Sequence, residues 1–275
     1  MKIIITGFLI LSAFGSIFSQ SSRGGSLFYE QIRTLDFIER EKAIVNEIKS
    51  GNFPLFLNSW EELRYTGKDA KGKRHRVILF VKADYLAAGT DEDYFTLPMS
   101  PQSAQEIANH FNASLPTPKI VDLIYSKSRL KLEPFNFIPR GNRNETPDIL
   151  YDHSKIITAQ IKASGNRPGV FVAGTKKDIV ISSKLSDSKR THHVTIYGWH
   201  KTDGTPIQPV TNIHIDVYVD YSHGVRLVSN RVLIDGKEYN YRDVLQDSVL
   251  HTLLNWEREP LRTVSYNIKE VSEKR

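Results

Sequence analysis

Residues 214–224 read His-Ile-Asp-Val-Tyr-Val-Asp-Tyr-Ser-His-Gly, a stretch that alternates polar with apolar side chains. Because the side chains of a β-strand point alternately to its two faces, this pattern predicts a strand with one polar face. That face would carry five residues: His214, Asp216, Tyr218, Asp220 and Ser222. Imidazole, carboxylate and hydroxyl groups on one rigid element can move a proton, bind a polar ligand or ligate a metal.

These residue types predict a hydrolase with a hydroxyl nucleophile. Ser222 would attack a carbonyl group, and His200 or His214 would remove its proton. Asp216 or Asp220 would orient the imidazole. No Gly-x-Ser-x-Gly motif surrounds the serine, so the prediction depends on the strand geometry alone.

Metal-assisted hydrolysis is a second hypothesis, in which His214 and Asp216 bind zinc and His200 or His223 supplies a third ligand. On a strand the first two side chains would lie about 7 Å apart, which is loose for a single ion. No His-Glu-x-x-His motif is present. The sequence therefore favours a hydrolase without a metal or another cofactor.

Basic and aromatic residues near these groups predict a ligand-binding cleft. The candidates are Lys176, Lys177, Trp199, Tyr218, His223 and Arg226. The lysine pair would supply positive charge to an oxyanion or a carboxylate. The alternative function is therefore a non-catalytic periplasmic or secreted protein that binds an anionic saccharide or peptide. A strand with one face in water would show the same alternation without any site.

The N-terminus predicts export. Lys2 precedes an apolar run at residues 3–18, so residues 1–19 have the layout of a signal peptide, with cleavage near Ser19 or Gln20. The remaining residues 20–275 contain no run of about 20 apolar residues, so we expect no stable membrane span after cleavage. A periplasmic or secreted location follows, with a polymer or small polar ligand of the cell envelope as partner.

Composition excludes several classes of chemistry. The 275-residue chain has no cysteine, which excludes disulfides, thiolate metal sites and a cysteine nucleophile. Its net charge is +6, but the basic clusters lack the interleaved aromatic residues typical of nucleic-acid platforms. We therefore expect no nucleic-acid partner.

The order of elements predicts a single α+β domain, helix-rich in its N-terminal half and largely antiparallel sheet in its C-terminal half. Apolar spacing and capping signals predict helices at 26–49, 100–111 and 117–130, with a buried strand at 76–82. A Pro-, Asn- and Gly-containing loop at about 133–147 would divide the two halves.

The second half of the chain is predicted from short β-type runs. They lie at 169–174, 178–182, 193–200 and 214–228, and a closing helix is predicted at 243–256. Asp235-Gly236 predicts a hairpin turn, because both positions of that turn need positive φ. Alternation along 193–200 would place His193 and His200 on opposite faces, and His200 at the strand end is the preferred base.

Four segments carry a family resemblance: SPQSAQEIA at 100–108, LPTPKIVDLIY at 115–125, YGWH at 197–200 and DYSHGVR at 220–226. With these segments the chain resembles exported bacterial proteins of uncharacterised function, a resemblance that implies export but no activity. Residues 193–198, HVTIYG, are similar to the histidine strand of NlpC/P60-type peptidases, and Asp220-Tyr-Ser222 is faintly similar to their Asp-Cys-Ser. Tyr221 occupies the place of the cysteine and the segments come in the opposite order, so this likeness implies a fold at most.

Overall fold

The computed structural model describes residues 23–139 and 141–268, so the predicted signal peptide lies outside the described residues. Seven α-helices occur within these two ranges: α1 Gly25–Ile32, α2 Phe37–Lys49, α3 Pro101–His110, α4 Pro118–Lys127, α5 Pro147–Ala163, α6 Tyr241–Gln246 and α7 His251–Leu254. In this part of the chain, no helix has both the length and the apolar character needed to span a membrane.

The strands are mostly short. They are β1 Glu61–Lys68, β2 Arg74–Val81, β3 Ala87–Gly89, β4 Tyr94–Thr96, β5 Ala113–Ser114, β6 Leu130–Lys131, β7 Val172–Ala173, β8 Lys177–Ile179, β9 Ile196–His200, β10 Pro206–Thr211, β11 His223–Gly224, β12 Val228–Ser229, β13 Arg231–Ile234 and β14 Lys237–Asn240. Single turns of 3-10 helix lie at Leu55–Leu57, Gly141–Glu145 and Ser183–Ser186.

The largest sheet has six strands and is organised around β2. β1 pairs with the whole length of β2, from Glu61 opposite Val81 to Lys68 opposite Arg74. The other edge of β2 pairs with β13 and β12, and the sheet continues to β14 beyond β13 and to β5 beyond β12.

A second sheet of four strands, in the order β10, β9, β8, β11, carries the candidate site. The first two pairs are antiparallel, whereas β8 and β11 are parallel, with Lys177 opposite His223. The pairs β3–β4 and β6–β7 form two small sheets.

The fold is α+β, as the sequence predicts, with helices mostly in the N-terminal half and a curled antiparallel sheet in the C-terminal half. The six-stranded sheet nevertheless takes β1, β2 and β5 from before the predicted 133–147 loop and β12 to β14 from after it. One apolar core extends from Phe28 of α1 to Leu261 and includes residues of all seven described helices and of both larger sheets. Burial of this apolar surface is the main term that favours the fold.

Two helices begin where the capping signals place them. The Ser100 side chain accepts a hydrogen bond from the Ser103 amide, and Pro101 is the first residue of α3. Thr117 caps α4 in the same way, with Pro118 at its first position. These side chains satisfy amides that have no partner within the helix, and proline has no amide to lose there.

The predicted hairpin is confirmed between β13 and β14. Asp235 and Gly236 form the two-residue turn with φ values of 52° and 85°, and Ile234 lies opposite Lys237. Both turn residues occupy the left-handed region, which an Asp-Gly pair adopts readily.

The helix predicted at 26–49 is in fact two helices, α1 and α2. The Asp36 side chain accepts the Glu39 amide, and the Glu39 side chain accepts the Asp36 amide. This capping box starts a new helix because it satisfies the amides of a fresh first turn. The closing helix predicted at 243–256 is likewise divided into α6 and α7, with the break at Asp247.

α5 and β10 were not predicted. α5 is the longest described helix and buries Leu150, Ile157 and Ile161 on one side. It begins at Pro147, so the loop predicted at 133–147 ends at its first residue. β10 contains two prolines, which argue against a strand in the middle of a sheet. It lies at the edge of the four-stranded sheet, where proline is tolerated.

The strand predicted at 214–224 is wrong. Only β11 at its end is a strand, and Ile215 makes an isolated bridge to His193. The Tyr218 amide donates to the Ile215 carbonyl at 3.0 Å, so a turn interrupts the segment. The Asp220 side chain accepts a hydrogen bond from the Ser222 backbone amide, and such local bonding competes with sheet pairing.

The strand predicted at 193–200 is shorter than expected, because β9 begins at Ile196. Gly198 and Trp199 have φ values of 102° and 55°. Two consecutive residues in the left-handed region break the strand alternation. The opposite-face assignment of His193 and His200 therefore loses its basis.

Candidate functional site

Asp220 accepts hydrogen bonds on both carboxylate oxygens. Its Oδ1 accepts from the Ser222 amide at 2.8 Å and from the Ser222 hydroxyl at 2.5 Å. Its Oδ2 accepts from the Tyr218 hydroxyl at 3.2 Å and lies 3.8 Å from Lys177 Nζ. Burial alone would raise the pKa of Asp220, but His223, Lys177 and the Ser222 bonds hold it well below its usual range. Asp220 is therefore ionised at neutral pH.

His223 is electrostatically coupled to Asp220 and is 1% exposed. Neither of its ring nitrogens has a hydrogen-bond partner among residues 23–139 and 141–268. Burial lowers the pKa of His223 to about 4, although Asp220 acts in the opposite direction. Because Lys177 is its register partner on β8, the two side chains share one face of the sheet. A neutral imidazole thus stands next to a carboxylate and an ammonium group.

Tyr218 connects this imidazole to a second one. Its ring stacks on His214 with centroids 4.4 Å apart and meets His223 edge-on at 5.9 Å. Burial raises the pKa of Tyr218, so the phenol keeps its proton. Burial, and then the charge of Lys177, lowers the pKa of His214. Tyr218 and His214 are both half-buried, so this stack is a part of the cluster that solvent reaches.

Lys177 Nζ lies 5.1 Å from the centroid of the Trp199 ring, which in turn meets Tyr221 edge-on. Trp199 combines a left-handed backbone with a buried indole Nε1 that has no partner in the described part of the chain. Such backbone strain costs on the order of 1–3 kcal/mol and concentrates at functional sites. Three predicted ligand-binding residues therefore interact with Asp220, namely Lys177, Tyr218 and His223, and Trp199 contacts Lys177.

Ser222 is not arranged as a nucleophile. It is 1% exposed, and its hydroxyl donates to Asp220. No histidine of the described ranges shares a hydrogen bond with that hydroxyl, although an activated serine needs a base within hydrogen-bond reach. The Ser222 side chain instead holds the Asp220 carboxylate in place.

His200, the preferred base from the sequence, contacts α4. Its Nε2 lies 2.7 Å from Asp122 Oδ1, and its ring stacks on Tyr125 at 4.6 Å. The Tyr197 hydroxyl donates to the same Asp122 oxygen at 2.9 Å. Asp122 was missed by the sequence analysis, because nothing in the chain near it indicates a partner far along the sequence.

Asp216 belongs to a different group of side chains. The Gln102 side-chain Nε2 donates to its Oδ2 at 2.5 Å, and His192 Nδ1 lies 3.6 Å from the same oxygen. Asp216 therefore contacts α3, whereas His214 stacks on Tyr218. The spacing that placed Asp216 and His214 on one strand face does not bring them together.

The second hypothesis from the sequence is that histidine and aspartate side chains bind zinc. Within residues 23–139 and 141–268, no group of three or more His, Asp or Glu side chains is arranged to hold a metal ion. The proposed ligands His214, Asp216 and His200 have the separate partners given above. These donors therefore do not fit a common ion.

Lys176 was predicted to bind ligand and is buried instead. Its Nζ donates to the Tyr221 carbonyl at 2.6 Å and to His153 Nδ1 at 3.0 Å. Burial lowers the pKa of Lys176 to about 7, against the opposing charges of Asp220 and Asp84. Lys176 thus supports the backbone just before Ser222. His153 was missed because α5, which carries it, was not predicted.

Arg226 was also predicted to bind ligand, but it is 0% exposed. Its guanidinium donates to the carbonyls of Lys82 at 2.9 Å, Ala83 at 2.7 Å and Val172 at 2.7 Å. It also lies over the Tyr85 ring at 4.3 Å. These contacts join the end of β2 to β7 and give Arg226 a structural role.

Comparisons with known proteins give no independent indication of function. The chain matches no family model, and neither curated proteins nor solved structures include a significant match to it. The resemblances to exported bacterial proteins and to NlpC/P60-type peptidases stay predictions.

Proposed function

We propose that this chain is an exported hydrolase of a cell-envelope or extracellular polymer, with Asp220, His223 and Lys177 as its acid–base centre. The observation that carries the proposal is the buried, neutral His223, which has no hydrogen-bond partner among the described residues and interacts with an ionised carboxylate. Buried polar groups nearly always have partners, and perturbed titrating groups concentrate at functional sites.

Water is the nucleophile in the proposed reaction. Its oxygen attacks the electrophilic carbon of the scissile bond while the His223 imidazole accepts its proton. Asp220 stabilises the imidazolium that forms, and the Lys177 ammonium stabilises negative charge that develops on the substrate. When the scissile bond breaks, the imidazolium returns the proton to the leaving group.

The stack of Tyr218 on His214 supports binding of a polymer next to this centre. Both rings are half-buried, so a sugar ring or a peptide unit can pack against them while the Tyr218 hydroxyl stays bonded to Asp220. Large aromatic side chains contribute much of the contact area at such surfaces.

A second candidate function is a non-catalytic protein that binds an anionic saccharide or peptide. It is favoured by the burial of Ser222, which leaves no assembled pair of hydroxyl nucleophile and base around Asp220 in the described ranges. In this case Lys177, which lies over Trp199, would pair with a carboxylate of the ligand.

Turnover by purified mature protein distinguishes the two functions. We expect release of soluble fragments from peptidoglycan or from a polysaccharide, and a loss of about 100-fold or more in His223→Ala and Asp220→Asn. His110→Ala, an exposed histidine at the end of α3, is the matched control and should turn over normally. Equal rates in all forms would exclude the proposed centre. Binding without turnover by the wild-type protein would support the second candidate.

Export is tested separately by fractionation of cells that express the full chain. We expect the protein outside the cytoplasm, with a new N-terminus near Ser19 or Gln20 by mass spectrometry. A chain that stays in the cytoplasm with its first residues intact would contradict export and leave the acid–base centre to be tested on its own.

A further inference from the structure

The end of the β1–β2 hairpin is a cationic surface. Five exposed basic residues lie there: Lys68, Lys71, Lys73, Arg74 and Arg76. None of them forms an ion pair with any residue of the described ranges, whereas Arg64 further along β1 pairs with Glu62. Within the described part of the chain no ion pair therefore engages these cations, although the charge of Lys73 acts on Asp235, which lines the adjoining cleft.

The acids nearest to these cations are engaged elsewhere. Asp69 is buried and accepts the backbone amides of Lys71 and Lys73, each at 2.9 Å, together with His75 Nε2 at 3.1 Å. Asp235 accepts His75 Nδ1 and the Arg76 amide, each at 2.8 Å. Both carboxylates thus face the His75 imidazole, whose pKa they raise. The imidazolium form of His75 offsets one of these two negative charges.

The strand register concentrates the positive charge on one face. Lys68 lies directly opposite Arg74, and Arg76 is two residues further along β2 on the same face, opposite Thr66. Like charges opposite each other destabilise a strand pair, and Arg74 and Arg76 lie about 7 Å apart. An anionic partner removes this repulsion. A cleft of about 480 Å³ adjoins the row and is lined in part by Arg64, Arg76 and Ile78.

We propose that this hairpin end binds an anionic polysaccharide and so holds the protein on an acidic polymer, at a surface separate from the Asp220 centre. Charge complementarity requires an anionic partner. No exposed large apolar side chain of the described ranges lies on the hairpin, which argues against insertion into a membrane. Tyr65, the aromatic residue that lines the cleft, donates its hydroxyl to the Leu253 carbonyl and is half-buried, so it offers no free platform for stacking bases.

Calorimetric titration of the mature protein with polygalacturonate tests the proposal, with neutral dextran, single-stranded DNA and phosphatidylglycerol vesicles as comparison ligands. We expect binding to polygalacturonate, weaker at higher salt because exposed charges are screened. The triple variant Lys71→Gln/Lys73→Gln/Arg74→Gln should lose about tenfold or more in affinity. The matched control Lys127→Gln/Lys162→Gln/Lys189→Gln has the same net charge, changes exposed lysines elsewhere, and should lose less than about twofold.

Each other outcome overturns the proposal. Equal losses in the two triple variants would mean that net charge alone attracts the polymer. Preference for DNA or for the vesicles would assign the surface to another partner, and absence of polygalacturonate binding would remove it. Because binding is measured without turnover, these outcomes are independent of the proposed hydrolase activity.

Discussion

The Ser222 hydroxyl and backbone amide both donate to Asp220 Oδ1, at 2.5 Å and 2.8 Å. An aspartate that accepts the amide two residues further along the chain forms a local turn, which fixes the orientation of its carboxylate. The serine that the sequence assigns to nucleophilic attack therefore acts as a positioning group. The carboxylate that it positions is the one that interacts with His223.

Ser222→Ala should consequently keep most of the proposed activity. Loss of the hydroxyl removes one hydrogen bond to the Asp220 carboxylate and so raises the pKa of Asp220. The hydrogen bond from the backbone amide of residue 222 and the nearby Lys177 ammonium stay in place. We expect initial rates on the same polymer to fall by less than about tenfold, against about 100-fold or more for His223→Ala. If both variants lose activity equally, Ser222 takes part in the chemistry and the water mechanism is wrong.

The lowered pKa of His223 predicts that the folded protein loses stability in acid. Burial lowers its pKa from the ordinary value of 6.5 to about 4, so between these values the unfolded chain binds a proton that the folded chain does not. The contribution of His223 to stability is therefore largest above about pH 6.5 and decreases towards pH 4, by about 3 kcal/mol.

Urea unfolding at pH 7.0 and at pH 4.5 measures this effect. The decrease in unfolding free energy should be smaller in His223→Gln, which has no titrating side chain, and unchanged in His110→Gln. An unchanged decrease in His223→Gln would contradict the buried, neutral state of the imidazole.

Local signals were sufficient where neighbours in the chain decide the structure. Ser100 and Thr117 accept amides three residues ahead, and Asp235-Gly236 forms its turn without help from distant residues. Helix starts and tight turns could therefore be predicted from short stretches of sequence. The same principle exposes the error at 214–224, because Asp220 also bonds locally and so competes with the strand that alternation predicts.

The contacts of the candidate site residues could not be predicted from the sequence. His200 pairs with Asp122 and Lys176 with His153, and each contact joins segments that the sequence places far apart. No local pattern reports such pairs. Trp199 adds a left-handed residue within a strand, which sequence alternation cannot anticipate.

His75 should stabilise the β1–β2 hairpin over a limited pH range. Its bonds to Asp69 and Asp235 raise the pKa of His75, and the bonds that these acids accept lower theirs. The contribution of His75 is complete below about pH 6.5 and is lost as the pH rises through its raised folded pKa. The contribution of the acids is present above about pH 3.8 and is lost as the pH falls through their lowered folded pKa values.

The melting temperatures of the wild-type protein and of His75→Gln test this pH range. We expect the wild type to melt higher at pH 5.5, and the difference to shrink at pH 9. His110→Gln, which changes an exposed imidazole, should show no such dependence. A difference that stays constant between the two pH values would mean that packing of His75, and not its charge, stabilises the hairpin.

Arg226→Met should lower the free energy of unfolding without changing the affinity for the proposed polymer. Methionine fills part of the volume, but the three carbonyls that Arg226 bonds are left buried without a donor, at a cost of roughly 3–5 kcal/mol. Burial already raises the pKa of Asp84 and of Asp178 to about 6 against the charge of Arg226, so its loss raises both further. Urea unfolding measures the cost, and Lys162→Met, which removes an exposed positive charge from α5, is the matched control and should keep the wild-type stability. If Arg226→Met instead weakens binding and unfolds normally, the guanidinium contacts ligand after all, and its bonds to the three carbonyls are dispensable for the fold.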